Sequence, residues 1–306
     1  MTSSDGPRHG VPRWYAHPYN RAVLYRVAAA AHWLPRRVRL GLARQVGRLA
    51  GPLLPVERAV VRRTLALMTG ATGAPLDELT REVFGYFAMY FSDLVSTNRE
   101  PVTRLLGYVG SMSGAERLLR PEQGLITLTA HVGNWEMAGR LLALGSARPT
   151  HVVVAAEEAR TLERWVRRDG DRVRFVPRAQ PTVSLELLAA LRRGEVVAMQ
   201  GDRALGNRGD VMVPFFGHPA PFPIGPFVLA RAAGVPIAAA FCVLGDDHRY
   251  ALSLEDPLTV KPGSEEDSLR TWVARLEDVV RARPTHWFNF FDIWNPYGDG
   301  HGTPHG

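Results

Sequence analysis

Residues 125–142 read LITLTAHVGNWEMAGRLL, and this stretch decides the fold class. The run Leu125 to Thr129 has the length and apolar character of a buried strand. The strand pattern ends at His131, and a helical pattern follows from about Asn134 to Leu144. The same alternation continues outward. Strand patterns recur at 151–155, 173–176, 195–200, 236–244 and 249–254, with helical patterns near 158–168, 183–193, 225–233 and 265–282. Strands alternating with helices predict an α/β fold, a largely parallel central sheet flanked by helices, with its site at the strand ends.

Upstream of residue 120 the patterns are helical. From Leu79 to Val95 the residues Val83, Phe84, Phe87, Tyr90, Phe91 and Leu94 follow helical spacing, as a core helix or an aromatic ligand cage would. Over 36–49, Val38, Leu42, Val46 and Leu49 fall within about 80° of one another on a helix, while Arg37, Arg44 and Arg48 take a different face. Such an N-terminal amphipathic helical segment suits an anionic membrane surface, each headgroup-facing arginine contributing about 1 kcal/mol, and it equally suits ordinary packing on a domain. Charge is concentrated there too. Residues 1–63 hold twelve Arg against Asp5 and Glu57, leaving 25 basic and 28 acidic residues elsewhere; the chain's net charge is +7. No helix-turn-helix, zinc-finger or RNA-binding signature accompanies this basicity, so nucleic acid is not the expected partner.

Composition removes other classes. With 306 residues, 46% of them hydrophobic, the chain can bury a substantial core. Its single cysteine, Cys242, lies in the apolar run PIAAAFCVLG, which excludes a disulfide framework and a cysteine-rich metal site and predicts a packing role. The first twenty residues lack a signal-peptide pattern, and no window holds about 18 uncharged apolar residues, so cytoplasmic placement without a membrane-spanning helix is expected.

Four stretches carry side chains suited to chemistry. His131 and Glu136 sit five apart across a strand-to-helix turn, a spacing that can bring a carboxylate to one ring nitrogen and leave the other to take a proton from a hydroxyl. A structural histidine fits that isolated pattern as well. Backbone N–H groups near Gly133 and Asn134, at the helix start, could meet a developing oxyanion. In VVAMQGDRALGNRGD, Arg203 suits a phosphate and Asp202 could support either Arg203 or His131; a strand-ending turn with a solvated ion pair is the alternative, and Arg208 reads as a loop charge. The segment VMVPFFGHPAPFPIG, with Phe215 and Phe216, reads as a Pro-stiffened loop that lines an acyl-chain tunnel or caps the core. Near the C-terminus Trp287, Phe288, Phe290, Phe291 and Trp294 suit a membrane-facing aromatic edge or packing over the sheet, and the tail with His301 and His305 reads as flexible.

Taken in order, these blocks resemble the lysophospholipid acyltransferase superfamily, in particular its lipid A biosynthesis branch, over roughly residues 20–295. TAHVGNWEMAG is similar to that branch's HxxxxD/E block, GDRAL to the EGTR-like block, VPFFGHPAPFPIGPFVLA to the Phe-Phe-Gly segment and GVPIAAA to the last block. Two differences stand out: the arginine-studded N-terminus replaces a common transmembrane helix, and HWFNFFDIW stands where an HRR-like stretch is usual. The resemblance implies a glycerolipid acyltransferase-like fold, with a basic segment over 1–63, an acyltransferase domain over 64–296 and a tail over 297–306. It implies transfer of a fatty acyl group from an acyl carrier protein or CoA thioester to a hydroxyl of a lipid or glycolipid, at the cytoplasmic face of the inner membrane. His131 would be the general base with Glu136 as its partner; Gly133, Asn134, Asp202, Arg203, Phe215 and Phe216 would contact substrate. Neither a metal nor a cofactor beyond the donor is expected. A noncatalytic lipid-binding protein and an acyl-thioester hydrolase are the competing expectations; the absence of GxSxG argues against an esterase.

Overall fold

A central strand buried on both faces organises the computed structural model, which describes residues 22–97, 100–114, 116, 123–145, 148–154, 173–206 and 209–295. The helix expected at 158–168, Arg208, residues 1–21 and the tail with His301 and His305 lie outside those residues. Four helices come first: α1 (Ala22–Ala30), α2 (Arg36–Ala50), α3 (Pro55–Thr69) and α4 (Gly73–Thr97), then a single turn, α5 (Val102–Leu105). There follow β1 (Val109–Ser113), β2 (Leu125–Thr129), α6 (Trp135–Gly145), β3 (Thr150–Val154), β4 (Val173–Pro177), α7 (Val183–Arg192) and β5 (Val196–Gln200). The remainder is β6 (Asp210–Phe215), β7 (His218–Pro223), α8 (Gly225–Ala233), β8 (Ile237–Leu244), β9 (Tyr250–Leu254) and α9 (Glu265–Ala282).

Seven strands form one sheet in the order β1-β9-β8-β2-β5-β3-β4, parallel throughout except for the β8–β9 hairpin. The expected α/β class and largely parallel sheet are therefore present. Strand β2 lies between β5 and β8, so LITLT is apolar without alternation because neither face meets water. Its register with β5 runs from Leu125 opposite Val196 to Thr129 opposite Gln200. Two residues beyond that level end stand His131 and Asp202.

The expected loop at 210–223 is instead a two-stranded antiparallel hairpin, β6–β7. Pro219, Pro221 and Pro223 occupy alternate positions of β7, so their missing N–H groups all point one way, to the ribbon's open edge, where a strand tolerates them.

The N-terminal helices belong to the same core as the sheet, in which Leu40, Val61 and Leu65 join Ile126, Leu128 and Phe241. A division after residue 63 falls inside α3. Helix α2 docks on α4 at close range because Gly47 has no side chain; a Cβ there would lie 2.2 Å from the Phe84 carbonyl oxygen. Arg44 and Arg48 extend this face by pairing with Glu82 and Glu78. The opposite face is left outward, with Val38, Leu42, Val46 and Leu49 between 50 and 76% exposed and Trp33 beside them at 87%. No helix among the described residues is long and apolar enough to cross a membrane.

Beneath α2 lies a buried ionic cluster. Asp93 on α4 accepts from Arg36 and Arg39 at 2.6 and 2.7 Å, and from the Tyr250 hydroxyl at 3.0 Å. Asn134 donates in turn to that hydroxyl at 3.2 Å. The helix with the outward apolar stripe is thus linked by polar contacts to the start of α6.

Candidate active site

The turn between β2 and α6 is fixed by Gly133 and Asn134. Gly133 has φ +69°, and a Cβ there would lie 2.0 Å from the Cys242 carbonyl oxygen. That left-handed backbone is open to glycine because it has no side chain to clash. Asn134 caps α6, its Oδ1 accepting the Met137 N–H at 3.0 Å. A side chain at 131 is thereby held over the end of the sheet.

Asp202 holds His131 from the end of β5. Its Oδ1 lies 2.7 Å from His131 Nδ1, while its Oδ2 accepts the His131 backbone N–H at 2.9 Å and the Trp287 indole N–H at 3.0 Å. Asp202 is fully buried; burial alone would raise its pKa, but the His131 ring, the Arg203 charge and the indole outweigh this and hold the carboxyl at about 2. An ionised carboxylate only accepts, so the proton of this contact sits on His131 Nδ1, and in the neutral ring the lone pair is then on Nε2. The His131 side chain keeps 12% exposure, so the ring is reachable from outside. Of the two roles open to Asp202, the structure shows the one toward His131, with Arg203 close enough to add its charge.

Glu136 lies in the first turn of α6 and is partly buried. Its charge, after burial itself, helps push the buried Cys242 thiol well above its ordinary range. The carboxylate on His131 Nδ1 is that of Asp202, the partner that the sequence offered beside Arg203.

Other expected contacts need correction. The Gly133 and Asn134 backbone N–H groups are engaged, donating to the His286 and Cys242 carbonyls at 2.9 and 2.8 Å, so neither is available to an oxyanion. Phe215 lines no tunnel: it has no exposed surface and packs against Phe222, Trp287 and Trp294. Phe216 stands at the β6–β7 turn, its N–H donating to Glu277 at 2.7 Å and its ring lying 4.9 Å from the Arg281 guanidinium of α9.

The C-terminal segment that reads HWFNFFDIW packs over the sheet and clamps the turn. Phe288 N–H donates to the His131 carbonyl at 2.8 Å, and the His286 carbonyl accepts from Gly133. His286 is buried, with Nδ1 2.7 Å from the Tyr90 hydroxyl, which also accepts the Leu244 N–H at 2.6 Å. Burial, with the Arg283 charge, holds His286 at about 4. Among the described residues, no group of three or more His, Cys, Asp or Glu side chains is arranged to hold a metal ion.

Similarity to known proteins runs along most of the chain. The family model for bacterial lipid A biosynthesis acyltransferase matches residues 18–295. A phosphatidylinositol mannoside acyltransferase of Mycobacterium tuberculosis (strain CDC 1551 / Oshkosh) is 24% identical over 257 residues, covering 82% of this chain and 80% of its own length. The lipid A biosynthesis palmitoleoyltransferase of Escherichia coli (strain K12) is 23% identical over 291 residues, 92% of this chain and 93% of its own.

Proposed function

This chain belongs to the bacterial lipid A biosynthesis acyltransferase family and is an acyltransferase, and we propose that it moves a fatty acyl group from an acyl carrier protein or CoA thioester onto a hydroxyl of a lipid or glycolipid. The observation that carries this reading is the His131 ring held by the ionised Asp202 carboxylate at the end of β2. With the proton fixed on Nδ1, Nε2 takes the acceptor hydroxyl proton. The acceptor oxygen adds to the thioester carbonyl carbon, the C–S bond breaks, and His131 returns the proton to the departing sulfur. Asp202 orients the ring and stabilises its charged form, as the carboxylate does in a Ser-His-Asp triad.

Glu136, on the same turn, adds a second negative charge that favours the imidazolium. Arg203 is suited to a phosphate of the acceptor or of the donor's phosphopantetheine arm. The outward stripe of α2, with Trp33, supports peripheral docking on a membrane surface, which this reading takes to be the cytoplasmic face of the inner membrane. The relatives' names, a phosphatidylinositol mannoside acyltransferase and a lipid A palmitoleoyltransferase, favour a glycolipid acceptor.

Acyl-thioester turnover with and without lipid hydroxyls tests the reading. Acceptor-dependent loss of thioester is expected, with His131→Ala lowering it by about 10²–10⁴ while the fold persists. Release of free fatty acid without acceptor would make the chain a hydrolase. Lipid binding indifferent to His131, with no thioester consumed, would make it a binding protein.

A further inference from the structure

Trp287 is held on both flanks to the turn that carries the general base. It faces Val132 across an antiparallel bridge, with the His286 carbonyl accepting from Gly133 at 2.9 Å and the Phe288 N–H donating to the His131 carbonyl at 2.8 Å. Its side chain is buried, the ring centroid 5.4 Å from that of the equally buried Phe215. From this seat the indole N–H reaches Asp202 Oδ2 at 3.0 Å.

Two other indoles show what sets that bond apart. Trp272 and Trp294 donate to the backbone carbonyls of Leu128 and Phe215 at 3.3 and 3.2 Å, an ordinary way to satisfy an indole N–H. Trp287 donates instead to the ionised carboxylate that holds the His131 ring, a charge-assisted bond and so a stronger one. Of the three N–H groups on Asp202, two belong to residue 131 itself, the ring on Oδ1 and the backbone on Oδ2. The backbone bond fixes one oxygen but lets the carboxylate swing about it. A second donor on the same oxygen, from a ring packed on Phe215, sets the plane and with it the direction in which Oδ1 meets Nδ1.

We propose that Trp287 is a positioning residue for acyl transfer, its indole N–H setting the plane of the Asp202 carboxylate and through it the aim of His131 Nε2. The proposal rests on the general-base reading above. The indole acts through Asp202 and not on substrate, so its loss leaves substrate binding in place and degrades the geometry of proton removal. A misplacement of about 1 Å at a reacting group can cost about 10²-fold in rate.

The experiment measures acceptor-dependent thioester turnover, with thermal unfolding alongside, for wild type, for Trp287→Phe, and for protein carrying benzothienylalanine at position 287, an isostere of tryptophan with sulfur in place of the N–H. Both replacements are also made in the Asp202→Asn background. The expected result is a kcat lowered about 10–100-fold by each, with KM for donor and acceptor within about twofold of wild type. On Asp202→Asn, which has no carboxylate left to aim, the same replacements should lower kcat by less than about threefold more. A folded benzothienylalanine protein with kcat within about threefold of wild type overturns the proposal. So does a loss of equal size in both backgrounds, or one carried by KM, since Trp287 would then be serving the fold or substrate binding. Should Trp287→Phe fail to fold, the isostere decides by the same criteria, because it leaves no cavity. If neither replacement folds, the indole serves the fold and the proposal is overturned. Wild type without thioester turnover, or His131→Ala with wild-type turnover, removes the general-base reading itself and this proposal with it.

Discussion

Asp202→Asn keeps the shape of the side chain and removes its charge, and the hydrogen-bond count around it determines the tautomer of His131. The two carboxylate oxygens accept three N–H groups, the His131 ring on Oδ1 and the His131 backbone and Trp287 indole on Oδ2. Asparagine offers one oxygen and one NH2. With its oxygen toward the backbone and indole it keeps two bonds; turned toward the ring it keeps one and sets its NH2 against two donors. At about 1 kcal/mol or more per buried bond, the first arrangement wins. The ring must then accept at Nδ1 and carry its proton on Nε2, the nitrogen that should remove one. A fall in kcat/KM of about 10²–10⁴ is expected. Stability should fall as well. The native carboxyl sits at about 2 against an ordinary 3.8. At roughly 1.4 kcal/mol per pH unit, that depression is worth about 2 kcal/mol of folding free energy. The contribution is present above about pH 4 and is lost as acid approaches pH 2, so at pH 7 urea unfolding of Asp202→Asn should show the deficit. A folded Asp202→Asn protein with kcat/KM within threefold of wild type between pH 6 and 9 would refute the tautomer argument.

Two further perturbations probe other parts of the molecule. Leu42→Asp and Val46→Asp change outward positions on α2, so Tm should stay near wild type while co-sedimentation with anionic vesicles drops by about tenfold or more; unchanged partitioning would remove α2 from membrane docking. His286 is held neutral, at about 4 against an ordinary 6.5. Its contribution to stability is complete above pH 6.5 and disappears toward pH 4, at about 1.4 kcal/mol per pH unit. Denaturation of wild type and His286→Gln over pH 7 to 4.5 should show that slope only in wild type, and parallel curves would contradict a buried neutral ring.

Elements whose apolar period matches their burial were legible from sequence. β2 is found at its expected bounds, and α9 spans the expected 265–282, because one is fully interior and the other amphipathic. The β6–β7 hairpin was hidden by its prolines, which oppose strand formation unless one edge is known to be open. Strand β1 was missed because VGSMS is an exposed edge with almost no apolar signal. Within the site, His131 and Asp202 were visible as residues, but their contact spans 71 positions and needs the knowledge that β2 and β5 are neighbours in register. Trp287 carried no local clue to a role in the site, since its place beside Asp202 follows from a tertiary crossing. Gly133 and Asn134 were read as donors because a helix start usually has spare N–H groups; here the clamp and β8 take them.

The Asp93 cluster bears on how this protein can be handled. Anyone wishing to shed the greasy exterior of α2 would be drawn to a truncation that begins at residue 64. That cut removes both guanidinium groups from an interior carboxylate. Stripping such a charge of its partners costs about 3–5 kcal/mol, against a total stability that for ordinary domains is about 5–15 kcal/mol. It also removes the Arg36 guanidinium 5.6 Å from the ring of Tyr250, whose hydroxyl touches the residue capping α6. A water-friendly version is therefore better made by polar replacement of the outward residues than by deletion.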